Sequence, residues 1–169
     1  MKLDLKPIAQ QPGAVLPFQL QMDLSDVEWY GTRPAVHPVR VEGQVRNRAG
    51  ALELKARMDT VLSLACDRCA KPFEREKTVE YETLLAIELA NGENDDIILL
   101  DGDGELELDG LMRETFLLEM DTKNLCSQNC KGLCPGCGVN LNVGVCRCKK
   151  EIDPRLAKLA QLLEPEEPV

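Results

Sequence analysis

A chain of 169 residues, 44% hydrophobic and 29% charged, has apolar material for one ordinary domain with a small appendage, and no run near the roughly 20 apolar residues that span a bilayer. Its net charge of −9 excludes a general nucleic-acid binder, whose affinity rests on neutralising phosphates. Eight cysteines, behind an N-terminus that alternates charge with aliphatics and lacks a signal peptide's apolar core, imply a reducing, cytoplasmic setting in which thiols serve metals and not disulfides.

In chain order, Leu3–Ala9 and Val15–Met22 are predicted as strands separated by Gln11, Pro12 and Gly13. Val39, Val41, Gly43 and Val45 then alternate with Arg40, Glu42, Gln44 and Arg46, the two-residue period of a half-buried strand. Asn47, Arg48, Ala49 and Gly50 supply a turn. Alternation resumes from Leu52 to Cys66, and again through Phe73, Val79, Tyr81, Thr83, Leu85, Ile87 and Leu89, opposite a set rich in glutamate. These are long antiparallel strands with one wet face. A polar loop, Asn91–Asp96, precedes the short apolar run Ile97–Leu100. Asp101–Gly104 has the look of a calcium loop, but Leu106 stands where such a loop needs glycine. Asp109 is predicted to cap a helix through about Leu118, and Pro154 to open a short terminal helix over 154–163. The pattern predicts an α+β fold, mainly antiparallel β, as a curled sheet or partial barrel with a short helix and a zinc-stabilised C-terminal module. Residues 1–121 form the body, 122–163 the cysteine-rich module and terminal helix, and 164–169 a frayed tail.

The cysteines carry the chemistry. Cys66 and Cys69, at a strand-to-strand turn, make half of a zinc knuckle, and zinc needs four ligands. Cys134 and Cys137 make a second half-site, in which Pro135 sets a turn and Gly136 and Gly138 let the backbone wrap round sulfur. Cys146 and Cys148 follow closely enough to return to that ion. Cys126 and Cys130 are then left to complete the site begun by Cys66 and Cys69, crosslinking the hairpin tip to the C-terminal segment. Two structural zinc ions result. A different partition, with Cys126, Cys130, Cys134 and Cys137 round one ion, stays open, as do a [4Fe–4S] cluster and a redox dithiol.

No catalytic constellation is visible. His37 is the only histidine, which argues against a hydrolytic zinc site with an open position, and no phosphate-cradling or nucleophile-elbow motif occurs. Charge is uneven: residues 80–121 hold 14 acidic side chains against Arg113, whereas residues 122–160 hold seven basic against two acidic.

Cys66-Asp67-Arg68-Cys69-Ala70-Lys71-Pro72-Phe73 resembles the signature of the YceD family, the large ribosomal RNA subunit accumulation proteins. The run from Cys130 through Cys134, Cys137, Asn140 and Asn142, then Cys146, Cys148 and Asp153-Pro154-Arg155, is similar to the tail of its longer members. The resemblance spans about Val39 to Leu163 and departs from the family pattern at Met120-Asp121, where a proline is expected. It implies a non-enzymatic role in processing or accumulating large-subunit ribosomal RNA, with RNA or an assembly protein as partner. Arg68 carries over as a functional residue of the signature. Lys131, Arg147, Lys149 and Lys150 are the remaining candidates for RNA contact, and such contact would be electrostatic because no aromatic lies in that stretch. Two rival readings accompany this one: an adaptor whose acidic face docks basic ribosomal proteins, and a zinc protein switched by oxidation.

Overall fold

The computed structural model describes residues 1–86, 97–100 and 103–148. Its frame is an open sheet built from the alternating segments. Strand β2 (Val15–Met22) pairs antiparallel with β3 (Val39–Arg48), β3 with β4 (Ala51–Ala65), and β4 with β5 (Pro72–Ala86). A short strand, β6 (Ile97–Leu99), adds to β5 in parallel, so the sheet is mixed, antiparallel in its main body as the sequence pattern indicates. The strand order is β2-β3-β4-β5-β6, and among the described residues its two outer strands do not meet to close a barrel. Ile87, Leu89 and the polar loop of residues 91–96 lie outside the described residues, as do the terminal helix predicted over 154–163 and the tail at 164–169.

The two-residue period is realised face by face. Leu52, Leu54, Ala56, Met58, Thr60, Leu62 and Leu64 of β4 are all buried, with Val39, Val41 and Val45 of β3 beside them. Phe18, Gly43, Ala56 and Tyr81 form one cross-strand row. A Cβ on Gly43 would sit 2.4 Å from the Phe18 ring and from the Lys55 carbonyl, so only glycine lets Phe18 lie down on the sheet. The other face carries ion-paired ladders, such as Lys55 to Glu82 at 2.8 Å and Arg57 to Asp59 at 2.9 Å.

The N-terminal segment departs from its predicted single strand. It divides into β1 (Lys2–Asp4) and a one-turn helix, α1 (Lys6–Ala9). Pro7 fixes a helical φ in that first turn, where its missing N–H costs nothing, and Leu5 and Ile8, three apart, both turn into the core. Asn47 belongs to β3 instead of the turn. Its fully buried amide donates to the carbonyls of Ile8 and Ala9 at 2.8 and 2.9 Å and accepts from the Gly50 N–H at 2.8 Å. The two-residue turn itself is Ala49-Gly50, both at positive φ.

Strand β7 (Glu105–Glu107) pairs with β1 and runs straight into α2 (Leu108–Leu118). The helix buries Leu108, Met112, Thr115 and Phe116, one stripe at helical spacing. Asp109 does not cap it. Glu107 holds the cap position without a side-chain bond, and Asp109, in the first turn, pairs with the Met1 ammonium. Strand β4 is longer than its neighbour β3, and the arm of residues 34–38 fills the overhang. The Ser63 N–H donates to the Pro34 carbonyl at 2.9 Å, and the Thr60 hydroxyl lies 3.3 Å from the carbonyls of His37 and Pro38. His37 itself is exposed.

Candidate metal centres

Beyond Ala65 the β4–β5 hairpin ends in a knuckle. The Cys66 N–H donates to the Lys71 carbonyl at 2.9 Å, and the Ala70 N–H returns to the Cys66 carbonyl at 2.8 Å, with Ala70 at φ 56°. The second knuckle repeats this wiring. The Cys134 N–H donates to the Val139 carbonyl and the Gly138 N–H to the Cys134 carbonyl, both at 2.8 Å, with Gly138 at φ 72°. In each case the fifth residue takes the left-handed conformation that folds the backbone back over the sulfurs.

The eight cysteines are free thiols and fall into two groups. Cys66, Cys69, Cys126 and Cys130 form the first, and Cys134, Cys137, Cys146 and Cys148 the second; within each, all sulfurs lie within 4.8 Å of one another. A tetrahedron with Zn–S bonds of about 2.3 Å has edges of about 3.8 Å. In the first cluster Cys66 to Cys130 and Cys69 to Cys126 are each 3.7 Å, which fits a four-coordinate ion closely. In the second, Cys137 to Cys146 is 3.7 Å and Cys134 to Cys146 is 3.1 Å, so this group would open slightly to take an ion. Both thiol sets could hold metal ions. The first is packed under Phe73 and Leu125 with three of its cysteines buried, whereas Cys137 and Cys148 of the second are exposed.

Backbone amides set the charge of the sulfurs. The N–H of Cys126, with those of Arg68 and Cys69, overrides burial and holds the Cys66 thiol down to about 6. The N–H of Cys137, the Cys146 thiol and the N–H of Gly136, 3.4 Å away, do the same for Cys134, also to about 6. Burial pushes Cys126 up to about 12, and the neighbouring Cys137 and Cys146 sulfurs push Cys148 up to about 12. Within each group some sulfurs are thus shifted toward the thiolate, Cys66 and Cys130 in the first and Cys134 in the second, and others toward the protonated thiol.

The structure also gives roles to residues that the sequence names only within a motif or passes over. Asn142, in the loop of the second cluster, donates its amide N–H to the Cys130 sulfur at 3.3 Å and accepts from the Lys131 N–H at 2.8 Å, bridging the two clusters. The Asp67 N–H donates to the Asn124 carbonyl at 2.8 Å, and the Asp67 carboxylate accepts from the Asn124 N–H. Arg75 in turn pairs with Asn124 and, at 3.3 Å, with Asp121, which Lys77 reaches at 3.5 Å. This latch seats the start of the cysteine-rich segment on β5. A signal for it exists in the sequence, because Arg75 and Lys77 occupy the inward positions of the β5 alternation, where apolar residues are due. Of the candidate contact residues, Arg68 turns its guanidinium to the Cys130 carbonyl at 2.8 Å, and its own carbonyl accepts from the Leu133 N–H at 3.0 Å. Lys131 and Arg147 are exposed beside the two clusters, and Lys149 and Lys150 lie outside the described residues.

Fold and site together define a knuckle protein: an open mixed sheet whose hairpin tip and cysteine-rich segment assemble two four-thiol groups able to hold metal. More particularly, the chain belongs to the YceD family, since the profile described as "Large ribosomal RNA subunit accumulation protein YceD" matches residues 54–163, a stretch that includes both groups. It is 30% identical over 150 residues to a maize protein described as "Large ribosomal RNA subunit accumulation protein YCED homolog 1, chloroplastic", with 70% of this chain and 51% of that one covered. The Arabidopsis thaliana protein of the same description is 25% identical, covering 68% of this chain and 44% of that one. An uncharacterised protein of Mycobacterium leprae is 23% identical over 98% of this chain and 78% of its own length. The chain thus spans about half the length of the two plant relatives. No solved structure matches it. Among the described residues no helix is long and apolar enough to cross a membrane.

Proposed function

We propose that the protein is a non-enzymatic cytoplasmic factor that supports processing or accumulation of large-subunit ribosomal RNA, with two structural zinc ions as its scaffold. Cys66, Cys69, Cys126 and Cys130 hold the first, and Cys134, Cys137, Cys146 and Cys148 the second. The family match over both cysteine groups carries the reading. All-thiolate sites leave zinc no open position for water, so the metal's contribution is to fix loops and not to hydrolyse a substrate. Those loops present Lys131 and Arg147, with Lys149 and Lys150 beyond them, to RNA phosphates; Arg68 joins them at the first knuckle while bracing Cys130. Such contact is salt-dependent and weak in sequence preference. The test is to delete the gene and quantify mature and precursor large-subunit RNA. The reading expects a fall in the large-subunit RNA that wild type restores and Lys131→Glu with Arg147→Glu does not. Unchanged RNA on deletion would sink it.

A second reading has its own observation. Glu74, Glu76, Glu80 and Glu82 line one exposed face of β5, and an adaptor could dock basic ribosomal or assembly proteins there without touching RNA. Crosslinks in cells from residues 131–147 separate the two, RNA adducts favouring the first and protein adducts alone the second. The oxidation switch rests on the exposure of Cys137 and Cys148, and it fails if mild peroxide leaves zinc content unchanged.

A further inference from the structure

The two cysteine groups share one stretch of chain, Cys130 to Cys134, with one end in each group. That stretch is pressed onto the first knuckle. The Arg68 guanidinium donates to the Cys130 carbonyl at 2.8 Å, and the Leu133 N–H donates to the Arg68 carbonyl at 3.0 Å. Between them Gly132, at φ 76°, lies so close that a Cβ would stand 3.0 Å from the same carbonyl.

On its other side the stretch is held by the loop of the second group. The Leu141 N–H donates to the Gly132 carbonyl at 2.9 Å. Asn142 then uses every polar atom of its amide. The oxygen accepts from the Lys131 N–H at 2.8 Å, which fixes the amide's orientation and leaves its two hydrogens for other partners. One goes to the Asn140 side-chain oxygen at 2.8 Å and the other to the Cys130 sulfur at 3.3 Å. An all-thiolate zinc site carries net negative charge, so a donor aimed at one of its sulfurs stabilises the metal-bound state.

This donor reaches the first group from a loop that the second group closes. The N–H groups of Val143 and Gly144 bond the Asn140 carbonyl at 3.2 and 2.9 Å and shape a local turn. Val143 and Val145 are 88% and 89% exposed, so no packing of theirs pins the loop's far end. That end is secured where Cys146 and Cys148 return to Cys134 and Cys137.

We propose that metal in the second group sets the affinity of the first. Filling the second group fixes its loop, and the loop delivers the Asn142 amide to Cys130. Asn142 is thus a positioning residue for a site to which it gives no ligand. The coupling is reciprocal, so an ion in the first group tightens the second by the same factor. The proposal rests on the zinc reading of the two groups.

The test uses the full chain, reduced and metal-free, titrated with Co2+ and then Zn2+ against a competing chelator. The thiolate-to-Co2+ charge-transfer bands are recorded, and Cys66→Ser, which lacks the first group, identifies those of the second. Losing an outer hydrogen bond to a metal ligand costs roughly tenfold in affinity. The first group is therefore expected to bind about tenfold more weakly in Asn142→Asp, which keeps the acceptor for Lys131 and turns a carboxylate oxygen on Cys130. Its band is expected at longer wavelength, because a sulfur stripped of its donor gives up electrons more readily. Cys146→Ser with Cys148→Ser, which disables the second group, is expected to weaken the first by a similar factor. In that background Asn142→Asp adds little further loss. Unchanged first-group affinity in Asn142→Asp or in the double-serine chain overturns the coupling, as does an Asn142→Asp loss that is equal with and without the second group. Either result leaves two zinc sites standing. No metal bound by wild type at either group overturns both the coupling and the zinc reading.

Discussion

The two cysteine groups share a knuckle and differ in what completes it. Both knuckles carry the same pair of backbone hydrogen bonds and the same left-handed fifth residue. The first is completed by thiols from a distant stretch, with Cys69 and Cys126 57 positions apart, and is buried where the sheet meets the tail. The second is completed by Cys146, within 12 positions of Cys134, and faces solvent. One local motif thus serves as a tertiary crosslink in one place and as a self-contained knot in the other. What decides between them is where the chain finds the remaining two sulfurs.

Four experiments bear on this contrast. The largest effect is expected from Cys66→Ser. Releasing a loop of that length restores roughly 3–4 kcal/mol of chain entropy to the unfolded state, so urea denaturation should show a loss of that order, with zinc falling from two equivalents to about one. Both equivalents retained in Cys66→Ser would break the long-range grouping. Cys148→Ser should also cost one equivalent, but by the same loop-length scaling its stability loss is smaller by about 1.4 kcal/mol, and the sheet should keep its own transition. Equal losses in the two variants would erase the distinction.

The pH dependence of the metal-free, reduced chain comes next. Cys66 and Cys134, held down to about 6 from the ordinary 9.0, add stability that is complete above pH 9 and lost as pH falls through 6. Cys126 and Cys148, pushed up to about 12, add stability that is complete below pH 9 and lost as pH rises through 12. Stability should therefore peak near pH 9, and a flat profile between pH 6 and 11 would contradict the split. The smallest effect compares the knuckles' fifth residues. Ala70 pays for its left-handed conformation where Gly138 does not, so Ala70→Gly should stabilise by up to about 1 kcal/mol and Gly138→Ala destabilise by a similar amount, read as shifts in urea midpoint.

The long strands were legible because β3 and β4 each keep one face dry over many residues, and β5 repeats the period with a half-buried face opposite a row of exposed glutamates. The split of Leu3–Ala9 was not, since so short a stretch fits either period and Pro7 was the only local hint. The parallel seat of Ile97–Leu99 depends on tertiary pairing, which three apolar residues cannot encode. Spacing narrowed the division of the thiols without deciding it, because Cys126 and Cys130 lie as near Cys134 and Cys137 in the chain as Cys146 and Cys148 do, and only the fold brings the first pair to Cys66 and Cys69. Asn142, Asn124 and Asp67 could not be read in this way. Their roles lie in single side-chain bonds between loops, and an asparagine in a loop is ordinary.

The separation between the halves of the first cluster also sets a timetable. A ribosome adds roughly 5–20 residues each second. The hairpin tip, made with Cys66 and Cys69, therefore waits roughly 3–11 seconds before Cys126 exists, given the 57 positions between Cys69 and Cys126. Through that interval the nascent chain carries an unfinished pair of sulfurs, and Cys66 still lacks the Cys126 N–H that lowers its pKa in the finished fold. The newborn protein thus passes through a window in which stray cations and oxidants compete for a site that the finished fold encloses.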